Sequence, residues 1–153
     1  MSNAFDVLVR ELLESGLHVR FRAAGRSMAP AVGDGDVLTI APVDPAQVAV
    51  GDVILCDTWR GPLAHRVTSV DARDSRRRFV LRGDCSLEDD APVEGRQVRG
   101  RLVAVERDGR VDHATFAGRA WARRMKRFRA RCEQALLEVS QSVRDSIAVL
   151  RSA

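Results

Sequence analysis

The sequence predicts a mainly β protein: a small antiparallel β-barrel or sandwich, preceded by a short helix and followed by a long amphipathic one. Three observations carry this. Short apolar runs recur through residues 17–112, the first alternating strictly with polar side chains. Gly, Asp and Pro separate these runs at close intervals. From residue 113 onward the apolar period lengthens from two to between three and four. The expected organisation is an N-terminal helix over 1–16, a β domain over 17–112 and a C-terminal basic helix over 113–153.

In the first segment Phe5, Leu8, Val9, Leu12 and Leu13 fall at helical spacing, and Gly16 is a natural stop. Asp6 near the start and Arg10 further on suit the helix dipole. Leu17, Val19, Phe21 and Ala23 then alternate with His18, Arg20 and Arg22, which reads as a strand with one buried face. Strands are also expected over 36–40, 53–56, 63–70, 79–81, 98–105 and 110–111. Pro42 and Pro45 end the first of these, Gly51-Asp52 introduces the next, and Trp59-Arg60-Gly61-Pro62 reads as a turn. Asp71 to Arg78 looks like an exposed hairpin loop, Cys85 to Ala91 like an acidic loop, and Asp108-Gly109 like the last turn.

In the last third, Trp121, Met125, Phe128, Cys132, Leu136, Val139, Val143, Ile147 and Leu150 form one apolar stripe. Its first half is rich in arginine. A helix packed on the barrel or against a second copy is the favoured reading, and a basic helix lying on an anionic membrane or nucleic acid is the sharper one.

At 153 residues the chain is sized for one domain and can bury a core without cross-links. The contents of 45% hydrophobic and 30% charged residues are ordinary for a soluble globular protein. The formal charge of +4 is carried almost wholly by arginine, and Lys126 is the only lysine. Cys56, Cys85 and Cys132 are odd in number and lack CxxC spacing, which argues against a disulfide framework and a structural zinc site. A reducing compartment is the simpler expectation. No apolar run approaches the roughly 20 residues of a membrane-spanning helix, and no secretory signal pattern opens the chain. The expectation is a cytoplasmic protein whose only membrane association is peripheral.

The chemistry centres on Gly25-Arg26-Ser27-Met28-Ala29-Pro30. It lies between the first strand and the Gly33-Asp34-Gly35-Asp36 segment. A glycine before the serine and a proline after it describe a tight turn that can hold a hydroxyl exposed at a strand end, where an acyl-transfer nucleophile must sit. Such residues are also ordinary loop chemistry. A serine nucleophile needs a base and a group that orients the base. His65 is the candidate base, against the plainer reading of a partly buried structural histidine. Asp84 and Asp90 are the candidate orienters, against a loop cap and a solvated acidic pair respectively.

Gly-x-Ser-Met-x-Pro, then Gly-Asp, then His65-Arg66-Val67, then Arg82-Gly83-Asp84 followed by Asp90 resembles the signal peptidase superfamily, which includes the self-cleaving SOS repressors. The resemblance covers about Phe21 to Val105. Its Ser-Lys members carry lysine where this chain has His65, so the pattern is closest to the Ser-His-Asp branch of the endoplasmic reticulum and archaea. The resemblance implies Ser27 as nucleophile, His65 as general base, Asp90 as the orienting aspartate and Asp84 as the other acidic position of the motif. It implies Gly25, Met28 and Pro30 as part of the oxyanion and binding turn, no metal or organic cofactor, and a peptide or protein substrate. The chain departs from the family in three ways. It shows no membrane anchor, it reads Gly83-Asp84-Cys85-Ser86 where Gly-Asp-Asn-Asn is usual, and it has Gly25 where bacterial relatives place an oxyanion-binding serine.

The function expected is a serine endopeptidase acting through an acyl-enzyme. The alternative is an inactive member kept as a peptide-binding or regulatory module. A DNA-bound regulator is disfavoured, because only about 20 residues precede the β domain; nucleic acid is not an expected partner.

Overall fold

The computed structural model describes residues 4–72 and 76–113. Its elements are one α-helix, α1 (Ala4–Glu14), two single-turn 3-10 helices (Pro45–Gln47 and Gly95–Gln97), and eight strands: β1 (Val19–Arg22), β2 (Val37–Ala41), β3 (Val53–Thr58), β4 (Gly61–Asp71), β5 (Arg78–Arg82), β6 (Val93–Glu94), β7 (Val98–Arg107) and β8 (Arg110–His113). All strand pairs are antiparallel, in the order β1-β2-β7-β3-β4-β5-β6, with β8 on β7. Among the described residues the strands form one eight-stranded sheet, and it does not close. The helix expected beyond residue 113 lies outside the described residues.

Strand β3 explains how one sheet builds a core on both faces. Its run Val53-Ile54-Leu55-Cys56 is buried at every position. Val53 and Leu55 pack with Val9, Leu13, Ile40 and Leu102. Ile54 and Cys56 point the other way, to Phe79, Leu81 and Val67. A strand covered on both sides must be apolar without alternation, and this one is. Helix α1 buries Val9 and Leu13 in the first cluster and sets Phe5 edge-on to Phe21, with ring centroids 5.8 Å apart.

One expectation is corrected and one strand is new. Gly61-Pro62 is not part of the turn: the β3–β4 hairpin turns on Trp59-Arg60, and Thr58 pairs with Gly61. Gly61 adopts φ +117°, which glycine tolerates, and Pro62 needs no donor of its own at a hairpin start. The segment after the acidic loop also contains a two-residue strand, β6, too short to leave a periodic signal.

Candidate active site

The serine turn is built from both ends. Strand β1 leads into Gly25, whose φ of +96° suits only glycine without strain. The Gly25 amide donates to Asp34 Oδ1 at 2.8 Å, and the Gly35 amide donates to the Ala23 carbonyl at 2.9 Å. Met28 is buried in the first core cluster and pins the turn from below. The Val32 amide donates to the Met28 carbonyl at 2.9 Å, closing a helical turn that leaves Ser27 at the surface.

His65 comes from β4, in register with Ile54 of the central strand. It is 6% exposed, so its ring is held by packing. Its Nε2 lies 2.8 Å from Ser27 Oγ. Its Nδ1 lies 2.6 Å from Asp90 Oδ2. The three side chains, 38 and 25 residues apart along the chain, form one line of hydrogen bonds. With Asp90 ionised, Nδ1 carries the proton, and the lone pair on Nε2 faces the serine hydroxyl.

Asp90 is delivered by the loop after β5, where its amide donates to the Leu81 carbonyl at 2.8 Å. The same loop meets the serine turn directly: the Cys85 amide donates to the Ser27 carbonyl at 2.8 Å. Gly83 permits that approach. A Cβ there would stand 2.7 Å from the Ser27 carbonyl oxygen and 3.2 Å from His65 Cε1.

Asp84 does not reach the imidazole. It is buried against Arg66 in a two-pronged pair, Nε to Oδ1 and Nη2 to Oδ2, both at 2.8 Å. Arg66 Nη1 also donates to the Gly51 carbonyl at 2.6 Å. Expected as a catalytic position, Asp84 is instead a brace that ties β4 to the loop carrying Asp90. The physical reason is that a buried carboxylate needs a matched cation, and the guanidinium beside His65 supplies one.

The remaining turn residues also sort by geometry. Gly25 and Met28 border the cleft beside Ser27, but the Gly25 amide is already engaged by Asp34. Pro30 is not among the cleft residues; its carbonyl accepts from Arg107 Nη2 at 3.2 Å. Arg107 in turn holds the buried Asp36 with three contacts of 2.6 to 3.2 Å. This hydrogen bonding keeps the Asp36 carboxyl below its ordinary pKa despite burial, and the Gly33 amide assists.

Sequence reasoning passed over Gly83, Arg66, Asp34 and the Asp36–Arg107 pair as parts of the site. A signal was present for two of them: a Gly-Asp-Gly-Asp run after a serine turn supplies carboxylates in reach of turn amides.

The cleft beside Ser27 and His65 holds about 260 Å³ and is walled largely by apolar side chains, among them Phe5, Phe21, Leu55 and Leu63. Among the described residues, two backbone edges that flank it have no strand partner. Strand β1 pairs only with β2, and β5 pairs with β4 only from Arg66 onward, leaving residues 61–65 of β4 with one open edge. Among the described residues no cluster of His, Cys, Asp and Glu could hold a metal ion, and no helix is long and apolar enough to cross a membrane. No protein-family model matches the chain, and no curated protein matches it.

Proposed function

We propose that the chain is a serine endopeptidase of the signal peptidase type, cutting a peptide or partner protein through an acyl-enzyme. The observation that carries the reading is the single line Ser27 Oγ, His65 Nε2, His65 Nδ1, Asp90 Oδ2, with gaps of 2.8 and 2.6 Å. A lone serine–histidine contact is common; one whose far ring nitrogen is held by a carboxylate, beside an apolar cleft, has the parts that hydroxyl activation needs.

In this reading a substrate strand lies along an open edge beside the cleft, held by main-chain hydrogen bonds. Ser27 Oγ attacks the scissile carbonyl carbon as His65 Nε2 takes its proton. Asp90 steadies the resulting imidazolium through Nδ1–H. The proton passes to the leaving amine, the peptide C–N bond breaks, and the acyl group stays on Ser27. Water then attacks the ester with His65 again as base, and Ser27 is regenerated.

The developing oxyanion needs donors, and the Ser27 amide donates to no acceptor among the described residues. It is assigned that role. With a glycine at residue 25 there is no side-chain hydroxyl from that position, so the backbone carries the stabilisation.

The test is labelling with a fluorophosphonate together with hydrolysis of a peptide library, comparing wild type, Ser27→Ala and His65→Ala. Labelling at Ser27 and hydrolysis lost in both variants is the expected result. Peptide binding without labelling or cleavage would favour the inactive binding module instead.

A further inference from the structure

Protein interiors are close-packed, and spaces larger than a water molecule are few. The cleft beside Ser27 is an exception that opens to solvent. Its floor is the first core cluster itself: Met28, Leu38, Val53 and Leu55, each at most 5% exposed, line a space of about 260 Å³. An apolar cavity of roughly 150 Å³ already takes a benzene-sized guest. Small side chains keep the space clear, with Ala23 and Ala24 just after β1 and Ala64 on β4. Space left open against a core costs stability, so it calls for a guest.

The outer wall comes from α1. Phe5, about half exposed, and Val9 border the cleft from the helix, and Phe5 sets its ring edge-on to Phe21, another wall residue. Polar links as well as packing fix the helix there. Arg99 is the extra residue of a β-bulge on β7, where Leu55 faces Gly100 and Cys56 faces Val98. Bulges turn a side chain out of the regular alternation. Arg99 Nη1 donates to the Asp6 carbonyl of α1 at 3.0 Å, and Nη2 pairs with Asp57. Asp57 also receives Arg10 Nη2 from α1 at 2.8 Å. The buried Arg99 side chain thus clamps the helix to the sheet, and the walls of the cleft stay largely apolar.

We propose that α1 makes the cleft a subsite for one bulky apolar side chain of the substrate, of leucine, methionine or phenylalanine size, with Phe5 as its specificity-determining residue. The inference deepens the peptidase reading and rests on it for the bond cut beside that side chain. In an extended peptide alternate side chains point the same way, so one position near the cut bond fills the cleft while its neighbours point elsewhere. Alanine at that position leaves most of the space to water. Leucine fills it with apolar contact, a gain of about 10- to 100-fold in kcat/KM. A charged side chain loses its hydration against these walls and is rejected.

The experiment uses the full-length chain and a positional-scanning peptide library. kcat/KM is measured on wild type, and binding on Ser27→Ala, which needs no turnover. One position enriched in Leu, Met or Phe over Ala is expected in both. Ala64 packs on the first core cluster opposite Leu55, so Ala64→Leu fills the cleft and should move the preference at that position to Ala or Gly. Phe5→Ala opens the wall and should cut the ratio of Leu to Ala about 10-fold. Phe5→Leu, which keeps an apolar wall, should restore most of it. A wild-type profile in which no position prefers Leu, Met or Phe to Ala overturns the inference, whatever the variants do. So does an Ala64→Leu or Phe5→Ala protein that folds, by its thermal melt, and keeps the wild-type ratio. Fluorophosphonate labelling of Ser27 with no such preference would sink this inference and leave the peptidase reading standing. Selective binding of the bulky apolar peptides, with neither labelling nor cleavage, would do the reverse.

Discussion

The backbone amide of Cys85 donates a 2.8 Å hydrogen bond to the backbone carbonyl of Ser27. The loop that supplies Asp90 and the turn that supplies Ser27 are therefore one hydrogen-bonded unit. His65, on a strand buried in the sheet, is the fixed point between them. The distances within the line Ser27–His65–Asp90 depend on that contact as much as on the three side chains.

Gly83 makes the contact sterically possible, so Gly83→Ala is the sharpest test of it. The new methyl would meet the Ser27 carbonyl oxygen at 2.7 Å and Ser86 Oγ at 2.8 Å. The first neighbour is backbone and cannot rotate away. Expected are a stability loss of about 1–3 kcal/mol and a fall of roughly 100-fold in fluorophosphonate labelling, since small displacements of reacting groups are expensive. Gly25→Ala is the comparison: its Cβ would meet nothing within 4 Å, so its cost is backbone strain alone. Equal labelling rates for Gly83→Ala and wild type would mean that the two loops do not set the serine's position.

Asp84 and Asp90 should separate cleanly by readout. Asp84→Asn strips one charge from the buried Asp84–Arg66 pair, a loss of about 3–5 kcal/mol in stability. Asp90, whose side chain is 31% exposed, can lose its charge at little cost in folding. Asp90→Asn removes the acceptor that sets the imidazole tautomer, so the expected loss is in kcat, by up to about 10⁴-fold. Denaturant melts and kcat measured on both variants check this. A stable, inactive Asp84→Asn protein would reverse the assignment.

The legible parts of this fold and site were those encoded locally. Val53 to Cys56 reads as a strand because a two-sided core demands four apolar residues in a row. The Asp108-Gly109 turn reads directly, with both residues at positive φ. Ser27, His65 and Asp90 stood out as a set through a pattern resemblance, and residue types alone left Asp84 and Asp90 interchangeable. What divides them is the pairing of Asp84 with Arg66, a contact across 18 residues that no periodicity carries. Arg99 was invisible for a related reason. In a strand of regular alternation its direction would follow from its neighbours, but one inserted residue reverses that rule.

The cysteines should differ in reactivity. Burial pushes the Cys56 thiol up to about 12, and the carboxylates of Asp57 and Asp90 add to the effect. Cys85 is exposed at the serine turn. Iodoacetamide at pH 8 should modify Cys85 in the folded protein and leave Cys56 untouched until denaturant is added, because the thiolate is the reactive form. Peptide mapping by mass spectrometry reads this directly. Modification of Cys56 at a rate close to that of Cys85 would contradict the packing of Cys56 against Phe79 and Leu81.

Acid should weaken the Asp36–Arg107 pair that borders the serine turn. Asp36 is held ionised by Arg107, so its folded pKa lies below the ordinary value of 3.8. A carboxyl with a lowered folded pKa contributes stability that is fully present above the unfolded value. That contribution drains away as pH falls below about 3.9 and through the lowered value, because the unfolded chain takes up the proton first. Asp36→Asn removes the dependence. At neutral pH the variant should be less stable by about 1–2 kcal/mol, the worth of hydrogen bonds to a charged partner that is itself half exposed. As pH drops below 3.8 the two stability curves should converge. Urea melts across pH 2.5 to 7 measure both curves, and fluorophosphonate labelling at neutral pH should be slower in the variant because Arg107 also holds the Pro30 carbonyl. Parallel curves down to the lowest pH would show that the Asp36–Arg107 pair contributes nothing to the fold.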